Sequence, residues 1–114
     1  MHELAMASEL LDLLLRVATE NAAHTVTAAR LRIGAASCLS PDSLRFGFEA
    51  LAAGTSAAAC RLEITRVPAG ASCVQCGWRG EVLELGDLAC PSCATAPLTI
   101  RNGRDLTVES VDVE

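Results

Sequence analysis

The sequence predicts an α+β fold: two helices pack on a small, about three-stranded sheet, and a four-cysteine, zinc-ribbon-like module is inserted late in the chain. Three observations lead to this prediction. Apolar residues recur at helical spacing over residues 3–20 and 41–54, and they alternate with polar residues over residues 26–33 and 60–65. Two closely spaced cysteine pairs then interrupt these patterns within residues 68–97. The first two patterns supply the body of the fold, and the third supplies the inserted module.

Both helices show the expected periodicity. Over residues 3–20, charges at three- and four-residue steps mark a polar face and leave a broad apolar face. That apolar face consists of Leu4, Leu11, Leu14, Leu15 and Ala18. The second helix is predicted to begin at Ser40 and Pro41, because a serine side chain can accept from a free backbone N–H and proline at the first helical position loses no bond. We expect it to end near Gly54. Its predicted core-facing residues are Leu44, Phe48 and Leu51.

Four segments are predicted to form strands. Residues 26–33 alternate aliphatic residues with arginines, and residues 60–65 alternate Cys60, leucine and isoleucine with polar residues. Residues 97–101 and 106–113 are two further short β segments, joined around an Asn-Gly dipeptide that tolerates positive φ in tight turns. We therefore expect these last two segments to be joined as a hairpin.

The strongest local signal is a pair of CxxC motifs, Cys73 with Cys76 and Cys90 with Cys93. Two residues between cysteines form a tight turn that brings both sulfurs to one metal ion, and two such turns complete a tetrahedral four-thiolate site. Zinc is the default ion for this ligand set, and four protein ligands leave no open coordination position. We therefore predict that these four residues, here termed the cysteine quartet, hold a structural zinc ion.

Two other chemistries compete for the quartet. Iron accepts the same four thiolates in a rubredoxin-type centre, and a CxxC pair can perform redox chemistry. A redox pair normally lies at a helix start beside a βαβ unit, which this segment with its glycines and prolines does not resemble. The two remaining cysteines, Cys38 and Cys60, are interpreted as small buried hydrophobes without an assigned function.

A domain boundary is predicted where Val67 and Pro68 end the strand pattern. We expect residues 1–67 and 98–114 to form one discontinuous α+β domain and residues 68–97 to form a zinc-binding domain. The inserted segment is too short to bury much apolar surface, so we expect the metal to hold it together.

Composition excludes several classes of function. With 114 residues the chain has no room for a two-domain enzyme with a deep cofactor cleft. The net charge is -5, the arginines are scattered singly, and only 3% of residues are aromatic, so we expect no nucleic-acid partner. No stretch approaches the roughly 20 apolar residues of a membrane span, and the acidic N-terminus does not resemble a secretory signal. We therefore expect a cytoplasmic protein with no membrane partner.

The first three residues offer a second candidate metal site. The α-amine of Met1, the backbone nitrogen of His2 and the His2 imidazole can chelate one divalent ion in fused rings, and Glu3 or another group can complete a planar set. Planar nitrogen and oxygen coordination suits Ni(II) or Cu(II). The simpler alternative is that His2 and Glu3 only begin a helix, with the Glu3 carboxylate stabilised by the helix dipole.

Several motifs together resemble one known family, and they cover essentially the whole chain. They are the Met1–Glu3 start, Gly34–Ser37, Ser40–Leu44, Phe46–Phe48, Gly54–Thr55, Leu62–Ile64 and the late CxxC and CPxC pairs. The combination is similar to the HypA/HybF family, the nickel metallochaperones of nickel-iron hydrogenase maturation. An MHE start together with a late four-cysteine insert is much more specific than either part alone.

The resemblance implies a complete functional assignment. Nickel is expected at the N-terminus with His2 as the essential ligand, and zinc is expected in the cysteine quartet. The implied partners are a hydrogenase-maturation GTPase and the hydrogenase large subunit precursor, and some members of the family also serve urease. A homodimer of this chain is a further possible assembly.

This chain departs from the usual family pattern at the end of its first strand. Many members carry a glutamate there, where this chain has Ala35 and Ala36. Asp42, at the start of the second helix, is the nearest candidate for an additional carboxylate close to the nickel. Its alternative role is to stabilise the N-terminus of that helix through the dipole.

We therefore expect a nickel-delivery protein that performs no catalytic turnover. With only two histidines the chain does not assemble a convincing Ser/His/Asp or Cys/His set, and it has no Gly-rich phosphate loop. The alternative function is a zinc-ribbon protein-interaction or regulatory module whose MHE start is incidental.

Overall fold

The computed structural model describes residues 2–83, 89–94 and 97–114. Its elements in chain order are α1 (His2–Glu20), β1 (Val26–Gly34), a 3-10 turn (Ala35–Ser37), α2 (Pro41–Ala52), β2 (Arg61–Val67), β3 (Ala69–Cys73), β4 (Arg79–Val82), β5 (Leu98–Ile100) and β6 (Leu106–Val113). The predicted α+β class is confirmed. Over the described residues, no helix has both the length and the apolar character needed to cross a membrane.

The chain divides into two compact units. The first contains residues 1–31, 39–65 and 107–114, and the second contains residues 32–38 and 66–106. The second unit thus includes the whole cysteine-bearing segment. Each unit carries most of one three-stranded sheet, with strand orders β2-β1-β6 and β4-β3-β5.

The core of the first unit is aliphatic around a single phenylalanine ring. Its fully or almost fully buried side chains include Ala7, Leu10, Leu14, Val26, Leu31, Leu44 and Phe48. Each such leucine stabilises the fold by roughly 1.5–3 kcal/mol relative to an exposed one. Two predictions for this core are wrong, because Leu4 is 40% exposed and Leu51 is 38% exposed. Both lie near the ends of their helices, where the neighbouring Ala7 and Ala52 are buried instead.

The predicted start of α2 is confirmed in its capping geometry. The Ser40 hydroxyl accepts a hydrogen bond from the backbone N–H of Ser43 at 3.3 Å, and Pro41 occupies the first turn. Asp42 lies in the same turn, where a carboxylate interacts favourably with the helix dipole. The helix ends at Ala52, and Gly54 follows with φ +80°.

The exposed side of the first sheet is polar and centres on Arg30. Its guanidinium contacts the carboxylate of Asp112 at 3.0 Å and that of Glu63 at 3.6 Å. The hydrogen bond from Arg30 lowers the pKa of Asp112, and the same contact raises the pKa of Arg30. The predicted alternation of β1 is confirmed, since Leu31 and Ile33 are buried on its other side.

The second sheet is built around β3. This strand pairs antiparallel with β4 and with β5, so that Ala71 faces Gly80 on one side and Ile100 on the other. The predicted hairpin between the last two β segments is therefore wrong: β5 pairs with β3, while β6 lies beside β1. The Asn-Gly dipeptide carries the chain from one sheet to the other, and Gly103 does have positive φ, +93°.

In the second unit, the backbone segments around Gly34 and Gly70 lie close to the turn at Asn102 and Gly103. The Gly103 carbonyl accepts from the N–H of Ala36 at 2.8 Å, and the Asn102 side chain accepts from the N–H of Gly70 at 2.7 Å. A Cβ on Gly34 would lie 2.0 Å from the Gly103 carbonyl oxygen. Only glycine fits at position 34, although its own φ of -69° is accessible to any residue.

We expect Gly34→Ala to destabilise the protein by about 1–3 kcal/mol or to prevent folding, because the added Cβ meets backbone that cannot rotate away. Gly47→Ala in α2 is the matched control. There the added Cβ would make an ordinary 3.5 Å contact with Leu4, and alanine favours a helix interior by about 1 kcal/mol over glycine. Urea unfolding followed by circular dichroism measures the free energy of unfolding of both variants. Equal stability of the two variants would contradict the close approach of Gly34 to the backbone of Gly103.

Candidate metal centre

The first cysteine pair lies in a tight turn between β3 and β4. The N–H of Gly77 donates to the carbonyl of Cys73 at 3.0 Å, and the N–H of Cys73 donates to the carbonyl of Trp78 at 2.8 Å. Gly77 has φ +79°, a conformation that glycine adopts without steric cost. The turn reverses the chain within a few residues and keeps the thiols of Cys73 and Cys76 on the same side.

The second pair repeats this geometry. The N–H of Ala94 donates to the carbonyl of Cys90 at 2.9 Å, and Ala94 has φ +57°. Ala94 follows the second cysteine of its pair as Gly77 follows that of the first. A left-handed alanine costs roughly 1–2 kcal/mol. The conformation therefore requires support, which the convergence of the four sulfurs on one ion would supply.

The structure brings the predicted cysteine quartet together. All four sulfur atoms lie within 4.8 Å of one another. The sulfurs of Cys73 and Cys93 are 3.7 Å apart, and those of Cys76 and Cys90 are 3.6 Å apart. A tetrahedral zinc ion with Zn–S bonds of about 2.3 Å places its sulfurs roughly 3.8 Å apart. The two sulfur–sulfur distances therefore fit a zinc-sized ion bound by four thiolates.

The four thiols are not equivalent electrostatically. The backbone N–H of Trp78 lowers the pKa of Cys76, but partial desolvation beside the neighbouring sulfurs and hydrogen bonds with the other three thiols together raise it to about 11. Burial raises the pKa of Cys90, but the N–H groups of Cys93 and Ser92 and the neighbouring thiols bring it below its ordinary value. Since a metal binds thiolates, a bound ion must displace the proton from Cys76, and metal affinity falls as the pH falls.

The quartet also supplies much of the apolar core around it. The buried cluster of this unit consists of Ala71, Cys73, Cys90 and Leu98. Three further apolar side chains of the described residues pack against this cluster and are partly exposed; they are Trp78, Val82 and Ile100. Among the described residues, two of the four buried positions in this cluster are thus metal-binding candidates, and the cluster is small for a stable core.

The predicted N-terminal site is described only in part. Met1 and the side chain of His2 lie outside the described residues. Glu3 and Asp42 line the same groove, of about 620 Å³, between the start of α1 and α2. Its other lining residues are Leu4, Ser43, Phe46, Gly47 and Ala50. The groove places the two predicted carboxylates at one surface, as a shared site requires.

Sequence reasoning did not identify this groove or the exposure of Phe46, which is 77% exposed. Helical spacing could have predicted that one of the two phenylalanines is exposed, because Phe46 lies two residues from Phe48 and both rings cannot point to the same side of α2. The prediction that Cys38 is buried is wrong, because this residue is exposed and has φ +61°. Cys60 is partly buried, and burial raises its pKa.

Comparison with known proteins gives a consistent result over the whole chain. The family model described as "Hydrogenase/urease nickel incorporation, metallochaperone, hypA" matches residues 1–113. The hydrogenase maturation factor HybF of Escherichia coli O157:H7 is 38% identical over 114 residues, which are 100% of each chain. The hydrogenase maturation factor HypA of Methanopyrus kandleri is 35% identical over 133 residues, covering 100% of this chain and 94% of the relative.

The fold agrees with these relationships. The solution structure of the Ni metallochaperone HypA from Helicobacter pylori superposes with a TM-score of 0.65 at 20% identity, covering 97% of this chain and 96% of the other. With a family model that spans residues 1–113 and relatives above one-third identity over the full length, the chain belongs to the HypA family of hydrogenase maturation and nickel incorporation factors.

Proposed function

We propose that this protein binds Ni(II) at its N-terminus and delivers it in the cytoplasm for nickel-iron hydrogenase maturation, while zinc in the cysteine quartet has a structural role. The observation that carries the proposal is the full-length family match, which joins an MHE start and a four-cysteine cluster in one chain. Such a protein acts by binding and transfer, without turnover.

The proposed nickel ligands are the Met1 amine, the backbone nitrogen of His2 and the His2 imidazole. Glu3 or Asp42 would supply a carboxylate, and the groove that both residues line supports their joint use. Nitrogen and oxygen donors in a planar set are the ligands that Ni(II) accepts. An ion held at the end of a helix beside an open groove can be reached by a receiving protein, which cargo transfer requires.

The proposed zinc site has the opposite character. Four thiolates fill a tetrahedral coordination shell and leave no position for exchange. Cys73 and Cys90 are 3% and 1% exposed, so half of the ligand set is shielded from water. These properties support a resident ion that holds the fold of residues 68–97.

The proposed partners are a maturation GTPase and the hydrogenase large subunit precursor. The Escherichia coli and Methanopyrus relatives are both hydrogenase maturation factors by name. The family description also includes urease, so delivery to urease belongs to the same proposal.

The zinc proposal predicts that Cys90→Ser loses zinc and the structure of residues 68–97. Structural zinc sites contribute about 10–16 kcal/mol in zinc-finger peptides, far more than the small cluster around Cys90 can replace. Cys60→Ser is the matched control, because this thiol lies outside the quartet and should leave zinc content unchanged. Metal analysis measures the loss of zinc, and hydrogen exchange measures the loss of structure in residues 68–97. Stoichiometric zinc in Cys90→Ser would exclude the four-thiolate site.

The nickel proposal predicts that His2→Ala weakens nickel binding by at least tenfold, or about 1.4 kcal/mol, while His24→Ala leaves it unchanged. His24 is exposed in the loop after α1 and serves as the matched control. Tag-free protein is required, because an extension before Met1 removes the free amine from the chelate. Calorimetric nickel titration provides the affinities, and zinc content should be constant throughout. Equal nickel affinity of wild type and His2→Ala would favour a zinc-ribbon interaction module instead.

A further inference from the structure

The four ligands of the proposed zinc site differ in their access to solvent. Cys73 and Cys90 are buried, Cys93 is partly buried and Cys76 is exposed. The exposure of Cys76 follows from its place in the turn between β3 and β4, in which Val74 is also 80% exposed. A dissolved reagent that attacks a ligand sulfur therefore has direct access to Cys76.

The exposed sulfur lies beside a buried one. The Cys76 sulfur is 3.6 Å from that of Cys90, which is 1% exposed and also accepts the N–H groups of Ser92 and Cys93 at 3.4 and 3.5 Å. Hydrogen bonds to a thiolate stabilise its charge and reduce its nucleophilicity towards an external reagent. A solvent-accessible thiolate beside a second cysteine that can form a disulfide with it is the arrangement found in peroxide-sensing cysteine pairs.

We propose that the zinc-loaded quartet is also a hydroperoxide-sensitive switch, in which Cys76 is the thiolate that reacts with peroxide first and Cys90 forms the disulfide with it. This inference rests on the zinc part of the proposed function and not on nickel binding. The co-reactant is a hydroperoxide, such as hydrogen peroxide. The product is a metal-free protein with a Cys76–Cys90 disulfide.

The steps balance with peroxide as the only oxidant. The Cys76 thiolate attacks one peroxide oxygen, so that an S–O bond forms, the O–O bond breaks and hydroxide leaves; Cys76 becomes a sulfenic acid. The Cys90 thiolate then attacks the Cys76 sulfur, the S–S bond forms and a second hydroxide leaves. Two electrons from two sulfurs have reduced one peroxide, and solvent protons convert both hydroxides to water.

Oxidation would change the fold as well as the metal content. Only Cys73 and Cys93 remain as thiolates after the disulfide forms, and two ligands do not retain a four-coordinate zinc ion. Cys90 belongs to the small buried cluster with Ala71 and Leu98, so its rearrangement and the loss of zinc both loosen residues 68–97. Peroxide would therefore loosen this segment and release its zinc, and reduction of the disulfide in the presence of zinc would restore both.

Peptide mapping of the zinc-loaded full-length protein tests this order of reaction. The Cys38→Ser/Cys60→Ser double variant leaves only the quartet, and its zinc content is measured first. Limiting hydrogen peroxide is added with a sulfenic-acid trap in one sample and without it in another, and a chromophoric chelator follows zinc release. We expect the sulfenic-acid trap to label mainly Cys76, with several times more labelling there than on Cys93. Without the trap we expect a Cys76–Cys90 disulfide with one zinc released for each disulfide.

Two outcomes separate this inference from the proposed zinc site. A protein purified without zinc would contradict the site itself. If zinc-loaded protein forms a Cys73–Cys93 disulfide first, or if the sulfenic-acid trap labels Cys76 and Cys93 equally, the proposed switch is wrong and the proposed zinc site still stands. If the double variant does not fold, wild type supports the same mapping, because Cys38 and Cys60 lie in sequence segments separate from the quartet.

Discussion

The convergence of four thiols is the constraint on which the second unit depends. Their sulfurs lie within 4.8 Å of one another, so four thiolates would repel strongly without a cation among them. Protonation relieves the repulsion but removes the ligands. A divalent ion would resolve this conflict, and it would explain how this segment, whose described buried cluster is Ala71, Leu98 and two cysteines, can keep a defined structure.

The first unit is stabilised differently, and the difference suits its proposed role. Its leucine-rich core around Phe48 needs no metal. In the proposed function, the start of α1 can therefore bind a cargo ion without cost to the fold. A closed site of four thiolates retains its ion, whereas a terminal chelate beside an open groove exchanges it. The two proposed metal sites thus divide retention and transfer between the two units.

Much of this organisation could be predicted from sequence because it is encoded locally. The Ser40–Pro41 pair marked the start of α2, the alternation of β1 marked its buried side, and the CxxC spacing marked the quartet. Pairing between distant strands was not encoded locally. The Asn-Gly turn looked like a hairpin, but its residues connect β5 in one sheet to β6 in the other. The exposure of Leu4 and Phe46 likewise depends on how α1 and α2 pack, and periodicity alone does not determine which end of an apolar face stays open.

The proposed function requires nickel and zinc to occupy separate sites of different chemistry in the same molecule. X-ray absorption at the nickel edge of tag-free, zinc-loaded protein with one equivalent of Ni(II) tests it most directly. We expect a nickel shell made only of nitrogen and oxygen atoms, including an imidazole, and a separate zinc ion bound by four sulfurs. Sulfur atoms in the nickel shell, or displacement of zinc by nickel, would show that the quartet binds the cargo and would exclude two separate sites.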